Sequence, residues 1–101
     1  MSNMFFNLLV LYTYQQEDGM KKEGASRIEQ YVIDSIRQKR KDKGISQREL
    51  AYLLDVSISF IGEVESNRTR AKYNLNHIND IAKILECSPK DFLPDKGFIK
   101  N

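Results

Sequence analysis

The side chains of this sequence that could do chemistry are few, and what they can do is bind rather than react. Arg68, Arg70 and Lys72 stand in a stretch with no acid between Ser66 and Asn74, a concentration of cations suited to phosphate or to plain solvation. Ser46 and Gln47 stand at the start of a helical pattern, where an amide side chain and free backbone N–H groups suit a phosphate oxygen. Ser57, Ile58, Ser59 and Glu63 add short donors, acceptors and one methyl-bearing side chain at helical spacing. No nucleophile stands near a base, no glycine-rich loop could cradle a nucleotide, and no carboxylate pair has a reason to share a pocket. His77 and Cys87 are the only residues of their types and have no partners at ligand spacing, so no metal and no cofactor is expected, and each reads as a packing or surface residue. An enzyme is therefore not expected.

Composition sets the frame for these residues. The chain has 101 residues, one domain's worth, with 41% hydrophobic and 30% charged residues. Its net charge of +2 is too mild by itself to imply a polyanionic partner. One cysteine excludes an internal disulfide framework and points to a reducing compartment, so a soluble cytoplasmic protein is expected. The longest apolar run, Met4 to Tyr14, is too short to span a membrane and has no basic residue before it.

Charge is uneven along the chain. Residues 1–19 hold no Lys or Arg, while residues 20–101 hold sixteen basic and twelve acidic residues, a balance of +4. Met20-Lys21-Lys22-Glu23 has the look of a translation start, which would make residues 1–19 upstream sequence. The rival reading is a β-prone arm of Phe5, Phe6, Leu8, Leu9, Val10 and Tyr12 that pairs across a dimer. The first is preferred, because an unpaired apolar strand invites aggregation. The expected organisation is an extension over 1–25, a domain over 26–94 and a tail over 95–101.

From residue 26 onward the pattern is helical and well punctuated. Ser26, Ser46 and Ser88 each precede an acid by three residues, the arrangement of an N-terminal capping box. Ile28, Tyr31, Val32 and Ile36 mark one face of a helix that runs to about Lys43 and stops at Gly44. Leu50, Ala51, Leu53 and Leu54 make a second helix. Ser57 caps a third, with Phe60, Ile61 and Val64, and Phe60 is expected to be partly buried. Asn74 caps a fourth, with Leu75, Ile78, Ile81, Ala82 and Leu85 on one face. A fifth turn at Asp91-Phe92-Leu93 stops at Pro94. The fold class expected is all-α, a compact bundle of five short helices. Leu50 and Leu54 face Ile61 and Val64 across a tight turn at Asp55, and the small Ala51 lets the third helix pass close. Such a helix-turn-helix projects its second helix outward, in a geometry that fits a DNA major groove.

These residues resemble the lambda-repressor-like, Cro-like (XRE-type) helix-turn-helix family of DNA-binding proteins. The likeness runs from about Ile28 to Leu93 through Arg40, Gly44-Ile45-Ser46-Gln47, Leu50-Ala51, Val56-Ser57, Ile61, Val64-Glu65, Ile81-Ala82, Leu85 and Ser88 to Leu93. Two departures stand out: Asp55 replaces the usual turn glycine, and the loop from Ser66 to Asn74 is a couple of residues longer than the family norm.

The resemblance implies double-stranded DNA as partner, bound by a homodimer at a two-fold operator, without a membrane. It places Ser46, Gln47 and Ser66 with Arg68, Arg70 and Lys72 against the backbone, with Gln47 also bonded toward the first reader side chain. It places Ser57, Ile58, Ser59 and Glu63 in the groove, and it makes Arg40 and Glu65 a structural ion pair. None of these readers is Arg, Lys, Asn or Gln, so direct base readout should be modest and DNA shape should carry more. Gly62 would permit close approach to DNA. Phe92, Leu93, Phe98 and Ile99 are the expected dimer surface. Phage repressors, restriction–modification controllers and antitoxin-like regulators, the last with a toxin as protein partner, all fit a lone domain of this length. A protein-interaction adaptor that kept the fold and lost DNA reading is the alternative.

Overall fold

The computed structural model describes residues 24–99, and among them are four α-helices, one 3-10 turn and no strand. Helix α1 spans Arg27–Asp42, α2 Gln47–Leu54, α3 Ile58–Ser66 and α4 Leu75–Ile84, and the 3-10 turn is Pro89–Phe92. The all-α helix-turn-helix expectation holds, with the fifth helix reduced to that turn. Ser88 and Pro89 start it as a helix would be started, but Leu93 precedes Pro94 and is held extended (φ −105°, ψ 150°). The two readings of residues 1–19, upstream sequence or dimer arm, lie outside the described residues.

Caps fix the helix starts. Ser26 Oγ accepts from Glu29 N at 3.2 Å while Glu29 Oε1 accepts from Ser26 N at 2.9 Å, a complete reciprocal box. Ser46 supplies only half of one, accepting from Glu49 N at 3.0 Å. Ser88 makes a complete box with Asp91, whose Oδ2 accepts from Ser88 N at 3.0 Å, and Ser88 Oγ also accepts from Lys90 N at 3.3 Å. At α4, Asn74 Oδ1 accepts from His77 N at 2.8 Å and His77 Nδ1 accepts from Asn74 N at 3.1 Å. His77 is thus a capping residue, and its ring also lies 5.2 Å from that of Phe60.

The turn between α2 and α3 is closed by Asp55 in the left-handed region (φ 61°, ψ 46°). Val56 N donates to Ala51 O at 3.0 Å and Asp55 N to Tyr52 O at 3.2 Å, so the last carbonyls of α2 are satisfied as the chain reverses. Beneath the turn lies the core: Val32, Ile33 and Ile36 of α1, Leu50, Ala51 and Leu54 of α2, Ile61 and Val64 of α3, then Tyr73, Ile81, Ala82, Leu85 and Phe92. Each fully buried aliphatic side chain contributes about 2 kcal/mol by leaving water.

Three apolar residues sit elsewhere than expected. Ile28 and Leu75, each in the first turn of its helix, are 39% and 83% exposed, while Ile33 takes the core place that Ile28 was expected to fill. Both line a groove with Leu93. Phe92, expected at a dimer surface, is completely buried, because the 3-10 turn aims it under α1 and α4. Phe98 is half-buried with its ring edge-on to Tyr31 at 5.7 Å. Leu93 and Ile99 are left to face solvent.

Candidate nucleic-acid interface

The outer face of α3 is open. Ser57, Ile58, Ser59, Glu63 and Ser66 are all exposed, and Ile58 keeps 43% of its surface accessible. Ser57 Oγ is engaged as the cap of α3, accepting from Phe60 N at 3.0 Å. Phe60 itself turns inward, half-buried, with Tyr73 at 6.1 Å and His77 at 5.2 Å. Gly62 leaves α3 thin where α2 begins: a Cβ there would meet only Gln47 Oε1, at 3.9 Å.

The loop that follows α3 is organised. Asn67 ends the helix in the left-handed region (φ 63°) and accepts a hydrogen bond from Gln30 Nε2 of α1. Ser66 Oγ donates to Glu63 O at 2.9 Å and accepts from Arg68 N at 3.3 Å. Gly24, at φ +91°, packs under this loop. A Cβ there would come within 2.9 Å of Thr69 O, so only glycine fits. Arg68 and Arg70 are exposed, and among the described residues neither has an acidic partner. Lys72 differs from them. Its Nζ lies 3.2 Å from Glu29 Oε1, pinning the end of the loop to α1. The Ser26 backbone N–H chiefly, and Lys72 in support, hold the Glu29 carboxyl below the usual carboxylate range.

Beneath this surface a single carboxylate ties three helices together. Glu65 of α3 accepts from Arg40 Nε and Nη2 of α1, both at 2.9 Å, in a planar fork. Arg40 Nη1 donates to Ile45 O at 2.6 Å, and Gln47 Nε2 of α2 donates to Glu65 Oε1 at 2.9 Å. Arg37 Nε stands 3.6 Å from the same Oε1. The side chains of Arg40 and Glu65 are 8% and 3% exposed, which makes this a buried pair. Gln47 is therefore bonded to Glu65 and not to the first reader side chain as expected. The reason is distance along α3: Gln47 packs against its Gly62–Glu65 half, whereas Ser57 lies at the far end and caps its own helix.

Two residues of this region had no mark in the sequence. Tyr73 is buried beside the ion pair, and its hydroxyl finds no hydrogen-bond partner among the described residues. Burial first, and then the Glu65 charge, push that phenol's pKa well above the ordinary tyrosine value. Tyr52, on the outer side of α2, is 83% exposed and lines a cleft with Arg48 and Ile58. No helix of the described residues is long and apolar enough to cross a membrane, and no cluster of three potential metal ligands occurs among them.

The sequence pattern of the Cro/C1-type HTH DNA-binding domain matches residues 35–96. The structure is similar to that of the clp gene regulator ClgR from Corynebacterium glutamicum, with a TM-score of 0.56 and 27% identity over 61% of this chain and 64% of that one. It is also similar to the restriction-modification controller protein C.AhdI from Aeromonas hydrophila, with a TM-score of 0.55 and 28% identity over 62% of this chain and 92% of that one. The chain thus spans less than two thirds of ClgR and nearly all of C.AhdI. No curated protein sequence matches it. The match over residues 35–96 covers more than half of the chain, and with it this chain belongs to the Cro/C1-type helix-turn-helix DNA-binding domain family.

Proposed function

We propose that this chain is a cytoplasmic, sequence-specific regulator of transcription that binds a two-fold operator as a dimer and represses. The observation that carries the reading is the open face of α3, with Ser57, Ile58, Ser59 and Glu63 exposed beside the uncompensated Arg68 and Arg70. The readers can donate, accept and pack on a thymine methyl, and the loop arginines supply backbone contacts. Similarity to a gene regulator and to a restriction-modification controller supports the regulatory role. For the dimer, exposed Ile28, Leu75 and Leu93 around one groove, together with Ile99, replace the C-terminal set that included Phe92.

A second reading has an observation of its own. The reader face holds no basic residue while Tyr52 and Ile58 expose apolar surface, which suits an adaptor that binds a protein, such as a toxin. Fluorescence anisotropy with DNA from directly upstream of the gene, beside a scrambled duplex of equal length at two salt concentrations, separates the two. The regulator binds the upstream duplex more tightly and loses affinity steeply with salt. No binding to either duplex at low salt would refute it in favour of the adaptor.

A further inference from the structure

The buried ion pair leaves one cation over. Arg37 lies one turn before Arg40 on α1, with Nε 3.6 Å from Glu65 Oε1 and a side chain that is 46% exposed. Glu65 is already engaged by the Arg40 fork and by Gln47 Nε2. One carboxylate therefore faces two guanidinium groups. The surplus positive charge sits on the member that reaches solvent, and no hydrogen bond among the described residues engages Arg37.

Its place gives that charge a use. Arg37 and Gln47 share Glu65 Oε1 as neighbour, so the guanidinium lies beside the first residue of α2. Ser66, exposed at the end of α3, follows Glu65 directly. We propose that Arg37 is a DNA-backbone contact, gripping together with Gln47 a phosphate at the flank of α3, with Glu65 holding the guanidinium in position. This rests on the DNA-binding reading above and adds to it a residue from outside the helix-turn-helix. A guanidinium already steadied by a carboxylate loses less freedom on binding than one on a loop, and its fork matches two phosphate oxygens. The ion pair itself contributes little to folding, because at this separation and exposure water screens it.

The test is Arg37→Gln in the full chain, read by anisotropy over a salt series on the upstream and scrambled duplexes, with the melting temperature alongside. Affinity should fall about tenfold on both duplexes alike, and the slope of log affinity against log salt should shrink by about 0.9, one phosphate's worth. The melting temperature should stay within a few degrees of the unaltered protein. Arg37→Lys, which keeps the charge and loses the fork, should keep the slope with affinity reduced severalfold. An unchanged slope in Arg37→Gln, unaltered affinity in both variants, or a loss confined to the upstream duplex would each overturn the proposal while leaving DNA binding intact. Absence of salt-dependent binding by the unaltered chain would overturn the DNA-binding reading itself, before any variant is compared.

Discussion

Replacing Glu65 by leucine removes a carboxylate that is 3% exposed and strands Arg40, 8% exposed, with only the Ile45 carbonyl at 2.6 Å as partner. A buried charge left without its counter-ion costs about 3–5 kcal/mol. Gln47 Nε2 loses its acceptor as well, but Gln47 is only half-buried and water can take that place. The expected destabilisation is about 4 kcal/mol. Arg40→Met should be milder, about 2–3 kcal/mol, because Glu65 keeps the Gln47 bond and has Arg37 nearby. With both residues replaced, no charge is left buried, and the double variant should fall within about 1 kcal/mol of the unaltered protein. A domain of this size has about 5–15 kcal/mol in all, so Glu65→Leu stands close to unfolding where the double variant does not. Urea denaturation followed by circular dichroism reads this directly. With a slope of about 1 kcal/mol per molar, the Glu65→Leu midpoint drops by roughly 3 M or more while the slope stays constant. A single-variant loss under about 1 kcal/mol, or a double variant as unstable as the two losses added, would refute the argument that the pair is buried and coupled.

Other expectations follow from single residues. Asp55→Gly should raise stability by about 0.5–1 kcal/mol in the same urea assay, because glycine adopts φ 61° without the side-chain penalty. Tyr73→Phe removes a buried hydroxyl with no hydrogen-bond partner among the described residues and should be neutral or stabilising by about 1 kcal/mol at pH 7. The raised phenol pKa also has a pH signature. As pH rises past the ordinary tyrosine value of 10.0 the unfolded chain ionises before the folded one, so stability is lost above that pH, and Tyr73→Phe should flatten this alkaline decline in thermal melts. Arg68→Gln with Arg70→Gln should weaken binding to operator and scrambled DNA alike and reduce the salt slope by about two; a loss confined to the operator would contradict a backbone role.

Local chemistry was readable from the sequence, and long-range pairing was not. Ser26, Ser57 and Asn74 cap their helices, and Asp55 takes the left-handed turn, because each answers to residues within a few positions. Periodicity identified the helical faces but not where a facing helix ends, which is why Ile28 and Leu75 emerge exposed and Ile33 buried. An apolar residue after the last helix fits core or interface equally by sequence, and only packing shows that Phe92 is core. Lys72 looked like its loop neighbours Arg68 and Arg70, but it pairs with Glu29, 43 positions away. Gln47 and Arg37 converge on Glu65 for a similar reason: three segments distant in sequence meet at one buried carboxylate. His77 carries a local signal of its capping role, since it stands three residues after Asn74 with a ring nitrogen able to accept from the cap amide.

In the proposed function, α3, the start of α2 and the arginine loop form one DNA-binding face. Backbone amide chemical shifts of the full chain, titrated with the upstream duplex, test it most directly. The largest changes are expected at Gln47, at Ser57 to Glu63 and at Arg68 to Arg70, with His77 to Lys83 on α4 little affected. Changes concentrated on α4 with the Ser57–Glu63 amides unmoved would contradict it.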